Sequence, residues 1–417
     1  MALFGPFLLL SGLLQGCTAD PAPIRVGVLA ECVGALRSLQ ETALSGAEIP
    51  FLERGSTLRG PSALDGVTPA TVAGRPVELI PGCVEGGEYS TIIEQARLMV
   101  ELSHVDAVVG GNFPGDGLAL REVARKYPDV AFVVSSPGDR EVTLQDPAPN
   151  LFRFAADLSQ QVAGLGTYAY RDLGWRHAVV VAENAEVGWG EAAAFLAEFC
   201  GLGGRASQVP LSPDLLPPSV PEADGVAVFF TPFGKTPEAL MAFAGGRLPL
   251  ESSLVLGPAA WNDLNSLPAM PDQLKRVVTV APVTRVGGSE LYRATVARNF
   301  PAATETDAMQ PFVVQHNDGV EVVMTALEQA GGATGAPLQA ALRSLDTELV
   351  SGRVRLDDNR AAVVNTALTR LGDVGTGSAI RTVSAVDQTF GGALPASYEP
   401  GSGEQPCSSG PLPPWAR

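Results

Sequence analysis

Apolar residues fall into a repeating pattern from Ile24 onward: a short Val-rich run, a loop containing Gly or Pro, then a stretch with hydrophobic residues at helical spacing. Apolar runs that alternate with amphipathic stretches predict parallel sheets covered by helices. The first half reads as strands over 24–29 and 76–80, with a Gly- and Pro-rich surface excursion over 55–74 between them. A helix over 90–102, a strand over 106–110, a helix over 118–127 and a strand over 130–134 follow. In the first of these helices Ile92, Ala96 and Met99 share a face with Ile93 and Val100, the 3.6-residue period of a helix lying on a sheet. The sequence DPAPNLF over 146–152 interrupts the pattern with two prolines and reads as a strand crossing between lobes.

A second unit then begins. Its parts are a helix over 159–173, a strand over 178–182, a helix over 191–200, a strand over 225–230, a helix over 237–244 and strands over 253–256 and 277–280. Helices over 291–299, 312–329 and 338–345 come next, then β-branched strands over 354–356, 362–370 and 381–386. From Gly391 a tail rich in Pro, Gly and Ser reads as flexible.

A length of 417 residues suits two domains, each with a core of its own. With 28 Lys and Arg against 45 Asp and Glu, the net charge of −17 opposes phosphate backbones and anionic lipid, so nucleic acid is not an expected partner. Residues 2–14 form an apolar stretch shorter than the roughly 20 residues of a membrane span, and read as an export signal. The stretch runs into Leu14-Gln15-Gly16-Cys17, which resembles a bacterial lipobox and implies a lipid on Cys17, with 18–23 as a tether. No basic residue precedes it, and Gln15 is larger than the small residue usual there, so an ordinary cleaved signal or a buried N-terminal segment is the alternative. Four further cysteines make disulfides feasible in an oxidising compartment. Cys32 and Cys83 each follow a strand directly, and neighbouring parallel strands bring such loops together, so a Cys32–Cys83 bridge is expected, with two free thiols as the alternative. Cys200 and Cys407 are the remaining pair.

The order of pieces resembles the type I periplasmic binding proteins, specifically the branched-chain amino acid (Leu/Ile/Val) group serving ABC transporters. The segments that carry the likeness are IRVGVLAECVG, GRPVELIPGC, EQARLMVELSHVDAVVGG, NLFRFAADLSQQVAGLGTYAYRDLGWRHAVVVAENAEVGWGEAAAFL and SGRVRLDDNRAAVVNTALTRL. The resemblance spans nearly all of 24–390. It implies an α/β fold of two doubly wound Rossmann-like lobes joined by three crossover segments. Residues 24–149 with 283–345 would form lobe 1, 150–282 with 346–390 lobe 2, and 391–417 the tail. A ligand held between the lobes favours the closed form by differential affinity, and a transporter reads that form. The implied protein is a monomeric, extracytoplasmic substrate-binding protein that needs no cofactor and hands its ligand to an ABC permease. A sensory receptor acting through a membrane partner is the alternative.

The resemblance also implies ligand residues. In lobe 1 these are Asn112, Phe113, Pro114 and Gly115 after the third strand, and Ser136, Pro137, Gly138 and Asp139 after the fourth; Glu31 and Asn317 border the cleft. In lobe 2 they are Val187, Phe233 and Trp261. Asp139 stands where the family often has Thr: it would repel a ligand carboxylate unless a cation intervenes, or else it caps the next helical turn. Trp261 stands about where amino-acid binders keep an acid for the ammonium, and its ring suits a flat apolar surface or a cation. Together with Phe113 and Phe233, Trp261 implies a ligand more aromatic or apolar than a simple amino acid, with three core aromatics as the alternative.

Catalytic patterns do not assemble. Gly234-Lys235-Thr236 lacks the earlier glycine of a phosphate loop, Phe229 standing in its place. His104, His177 and His316 are far apart without metal-ligand spacing, and no GxSxG elbow occurs. The expectation is a binding protein, not an enzyme.

Overall fold

The computed structural model describes residues 22–85, 87–111, 113, 115–135, 138, 140–211, 221–229, 250–258, 272–282, 290–303, 311–374, 378–395 and 405–417. Its first sheet contains β1 (Ile24–Glu31), β2 (Ala70–Val72), β3 (Arg75–Val84), β4 (Ala107–Gly110), β5 (Ala131–Val134) and β6 (Leu151–Arg153), in the order β2-β3-β1-β4-β5-β6. β2 runs antiparallel to β3, and the rest are parallel. Successive strand residues point to opposite faces, so each face needs its own helices. Val26, Val28 and Val109 pack with Ala47 and Phe51 of α1 (Gln40–Glu53), Val320 and Leu327 of α7 (Pro311–Gln329) and Leu338 of α8 (Ala336–Ser344). Leu29, Val108 and Phe132 turn the other way, onto Ile92 and Met99 of α2 (Tyr89–Glu101) and Leu120 and Val123 of α3 (Asp116–Lys126).

The second sheet repeats this winding. β7 (His177–Glu183), β8 (Arg205–Leu211), β9 (Gly225–Phe229), β10 (Leu254–Leu256) and β11 (Val278–Pro282) are parallel, in the order β8-β7-β9-β10-β11. Counting parallel strands alone, both sheets therefore place their first strand between the second and third, and reverse direction of winding beside it. β14 (Ala362–Arg370) adds antiparallel to β11, and β15 (Arg381–Val386) and β13 (Gly352–Leu356) pair with β14, with β12 (Asp346–Leu349) outermost. α4 (Leu165–Arg171) and α5 (Glu186–Gly201) cover one face: Leu165, Ala169, Phe195 and Phe199 meet Val180, Phe229, Val255 and Val280. α6 (Glu290–Asn299) returns to the first lobe, where Tyr292 and Val296 pack with Ile49, Val313 and Val314.

The first crossing, expected over 146–152, lies further on, because Leu151–Arg153 form β6 of the first sheet. Residues 283–289, beside the boundary expected at 282/283, lie outside the described residues, and the chain passes between the sheets over 154–164 and 357–361. A buried polar network joins the two. The Arg153 guanidinium donates to Gln388 Oε1 at 3.0 Å and to Asp157 Oδ2 at 3.3 Å, and the Arg153 amide donates to the Arg360 carbonyl at 2.9 Å. Gln160 Nε2 donates to the carbonyls of Ala362 and Val386 at 2.7 and 2.8 Å. The Arg153 guanidinium also donates to the Ala155 carbonyl at 3.0 Å, and only its Nε lacks a partner among the described residues, so most of the hydrogen-bonding capacity of this buried ion pair is met.

Besides the first crossing, two boundaries differ from the sequence reading. The hairpin β12–β13, expected in lobe 2, pairs with the second sheet but buries Leu349, Val354 and Leu356 in the first lobe's core, because its apolar face lies against α7 and α8. The tail, expected to be flexible, is docked over 405–417. Cys407 is bridged to Cys200 of α5 with Cα atoms 5.5 Å apart. Trp415 stacks edge-on to Phe390 at 4.8 Å and donates its indole N–H to Glu198 Oε1 at 2.9 Å. Composition marked the segment as irregular, but a disulfide and an aromatic anchor hold irregular chain as firmly as secondary structure does.

Candidate functional site

In doubly wound sheets, ligands gather at the carboxyl ends of the strands, where the winding reverses. In the first sheet that point lies between β1 and β4. β1 ends on Glu31, whose side chain is buried, and Cys32 then forms a disulfide with Cys83 of β3, the Cα atoms 5.3 Å apart. His316 of α7 braces the same strand end, its Nε2 3.2 Å from the Leu29 carbonyl and its Nδ1 2.7 Å from that of Phe312.

After β4 the chain turns through Gly111 and Gly115, both at positive φ, where a side chain would be strained. Asp116 holds this turn. Its Oδ2 accepts the Phe113 amide at 3.0 Å and its Oδ1 accepts the Gly87 amide at 3.0 Å, tying together the loops after β4 and β3. The Phe113 ring lies 5.8 Å from Phe312. β5 runs into Ser135, whose buried hydroxyl has no hydrogen-bond partner among the described residues, and Gly138 is buried beyond it. Arg140 leaves this loop toward the crossings, donating to the carbonyls of Gln388 and Pro395. Asn317 faces sideways: its amide donates to Asp318 Oδ1 at 3.1 Å, and Asp318 accepts the amides of Val350 and Ser351 at 3.0 Å each. Burial, opposed by these bonds, pushes the Asp318 carboxyl up to about 6.

In the second sheet the reversal lies between β7 and β9. β7 ends on Glu183, buried, and α5 starts three residues later. Gly188 allows the helix to sit this close, since a β-carbon there would lie 2.1 Å from the Glu183 carbonyl oxygen. Val187 is half-buried in the first turn, and Glu191 follows on the same face at i+4. Burial, reinforced by the neighbouring charge of Glu183, holds the Glu191 carboxyl well above the usual range.

Glu31, Phe113, Gly115 and Gly138 thus stand at the carboxyl edge of the first sheet, and Val187 at that of the second. Asn317 lies on α7 beside the first edge, with its amide engaged by Asp318. Asn112, Pro114, Ser136, Pro137, Asp139, Phe233 and Trp261 lie outside the described residues, as does Cys17. The sequence reading missed Asp116, Arg140, Glu183 and Glu191. Asp116 had a signal: an acid three residues after the turn it closes is a common side-chain-to-backbone motif. The two glutamates had another, since β1 and β7 both end in Ala-Glu.

Among the described residues no group of three acidic, His or Cys side chains is placed to hold a metal, and no helix is long and apolar enough to cross a membrane. Comparison with curated proteins gives no match. Solved structures share the fold. An ABC transporter substrate-binding protein from Sphaerobacter thermophilus superposes with a TM-score of 0.71 at 21% identity, covering 88% of this chain and 99% of its own. A solute-binding protein of an ABC transporter from Rhodopseudomonas palustris, in complex with 3,4-dihydroxybenzoic acid, gives 0.67 at 19% identity, covering 88% and 98%. The branched-chain amino acid transporter substrate-binding protein from Streptococcus pneumoniae, in complex with isoleucine, gives 0.65 at 17% identity, covering 87% and 99%. The family model described as periplasmic binding protein matches residues 23–376, and with two sheets wound alike about paired switch points, this chain belongs to that family.

Proposed function

We propose that this protein captures a small organic molecule between the carboxyl edges of its two sheets and presents it, closed around the ligand, to an ABC importer. It works as a monomer outside the cytoplasm, tethered through a lipid on Cys17, and changes nothing in the molecule it carries. One observation carries the reading. At the carboxyl edge of each sheet a buried polar atom has no partner among the described residues, Ser135 Oγ in the first and Glu191 Oε2 in the second. Unsatisfied buried groups cost about 1–3 kcal/mol each, and a ligand's polar atoms relieve that cost on binding. The aromatic neighbours around Phe113 fit a ligand with a flat or apolar body. The relatives' ligands, an aromatic acid and a branched-chain amino acid, are of the same size class.

A thermal-shift screen of small aromatic and aliphatic solutes tests the reading. A ligand at a hundred times its dissociation constant adds about 2.7 kcal/mol of stability, a rise of several degrees in Tm. Calorimetric titration of the hits should give one site per chain. A screen without a single stabilising solute counts against the proposal. Mass spectrometry of the mature N-terminus checks the anchor: a diacylglyceryl mass on Cys17 supports it, and cleavage elsewhere removes it.

A further inference from the structure

Three carboxyl side chains stand where the two sheets reverse their winding. Glu31 and Glu183 occupy the same place in their respective lobes, each the last residue of the central first strand. Glu191 differs from them in its surroundings. It is only 1% exposed, its Oε2 has no hydrogen-bond partner among the described residues, and the charge that acts on it there is that of Glu183. The carboxyl is aimed at Gly257, the first residue beyond β10: a β-carbon there would lie 2.4 Å from Oε2 and 2.8 Å from the Phe229 ring at the end of β9. Glycine at this position keeps open the space that the acid occupies. The backbone beneath offers no relief, because the Gly257 amide donates to the Val228 carbonyl at 2.9 Å and the Gly257 carbonyl accepts the Thr279 hydroxyl at 3.0 Å.

As a core residue Glu191 makes little sense. Leu or Gln fills the same volume without desolvating a carboxyl, and a buried acid with an unmet oxygen destabilises the fold. At the carboxyl edge of a doubly wound sheet the same acid is a preformed receptor for a donor brought from outside. The sign of the field decides which donor. With Glu183 close enough to act on it, this edge repels an incoming carboxylate and attracts a positive group. A protonated organic nitrogen carries both the positive charge this field attracts and the N–H groups that an acceptor carboxylate takes.

We propose that Glu191 is a specificity-determining ligand contact that receives a protonated nitrogen of the ligand, an amine or an amidine, with Glu183 adding to the negative field. The assignment rests on the solute-binding reading above and narrows it. Glu191 gives up its proton to the solvent as the cation arrives, so binding through this group releases a proton.

The test uses the whole protein and its Glu191→Gln variant, with an aromatic and an aliphatic member of each of three probe classes. These are benzoate and valerate, phenylalanine and leucine, and phenethylamine and isoamylamine. The expected result is that nitrogen-bearing probes raise the Tm of the parent protein and bind with an enthalpy that depends on the buffer's own ionisation. In Glu191→Gln, which keeps the shape of the protonated acid, their affinity falls at least ten-fold and the buffer dependence disappears, while the unliganded Tm holds or rises. Binding of the carboxylates alone overturns the assignment and leaves solute binding intact. Nitrogen probes that bind the variant as they bind the parent overturn it as well. If no class shifts the Tm, the assignment fails together with the solute-binding reading beneath it.

Discussion

Glu48 sits in the middle of α1, fully buried, with neither carboxyl oxygen hydrogen-bonded. Burial, with help from the charges of Asp65 and Glu41, pushes its carboxyl up to about 8. The unfolded chain ionises this group near the ordinary value of 4.5, whereas the folded chain keeps it protonated to about 8. The folded state is therefore penalised progressively between those two values and by a constant amount above them. Glu48→Gln is expected to stabilise the protein by about 2–4 kcal/mol at pH 8.5 and to leave it unchanged at pH 4, as measured by urea unfolding at both values. Gly188 works in the opposite sense. Adding a methyl there forces α5 off the end of β7, and Gly188→Ala should cost about 1–3 kcal/mol in the same assay. Neither residue was legible beforehand. A glutamate within a helix looks the same in sequence whether it faces water or core, and Gly188, ahead of the helix expected over 191–200, does not announce that the helix starts earlier and packs on a carbonyl.

At the scale of elements the apolar strands were easiest to read. β4, β5, β7 and β9 each fall within a residue or two of the expected bounds, because parallel strands buried on both faces leave unbroken Val-rich runs, and the antiparallel β14 and β15 carry the expected bounds through their β-branched residues. The missed elements share a physical cause. α1 is buried around most of its circumference and holds Gly46 and Pro50, so it shows neither a polar stripe nor strong helix propensity. β2, β8 and β12 lie at sheet edges, where one side is open and polar residues are tolerated; β8 includes Ser207, Gln208 and Pro210. The candidate site was legible as a set of loops through family likeness, but the acids that close or charge those loops were not. The C-terminal segment gives the test at this scale. Cys407→Ser should lower stability by about 2–5 kcal/mol, and Trp415→Ala should do so by about 1–3 kcal/mol, both read as a fall in Tm of the second lobe's transition.

Across the whole molecule the buried acids act in concert. Besides Glu48, burial holds Glu53 up to about 7 and Asp318 up to about 6, and raises Glu191 and Glu198 as well. Each of these groups favours the folded state in its protonated form, so stability should decline as pH climbs from about 4 to about 8. The net charge of −17 adds repulsion in the same direction. Calorimetry is expected to show a Tm at least about 5 °C higher at pH 5 than at pH 8, the reverse of a protein held by exposed carboxylate ion pairs. The bridge from α5 to Cys407 has a consequence of a different kind. It closes a loop of 207 residues, which restricts the unfolded chain by about 5 kcal/mol in the chain-entropy account. That loop runs through the second lobe, out through α6, α7 and α8 of the first, and back. A partly synthesised chain holds nearly all the material of the second lobe and still cannot lock it. The lock arrives with Cys407 and Trp415, so delivery of the polypeptide and final setting of its second lobe are separated in time by the order in which the chain is made.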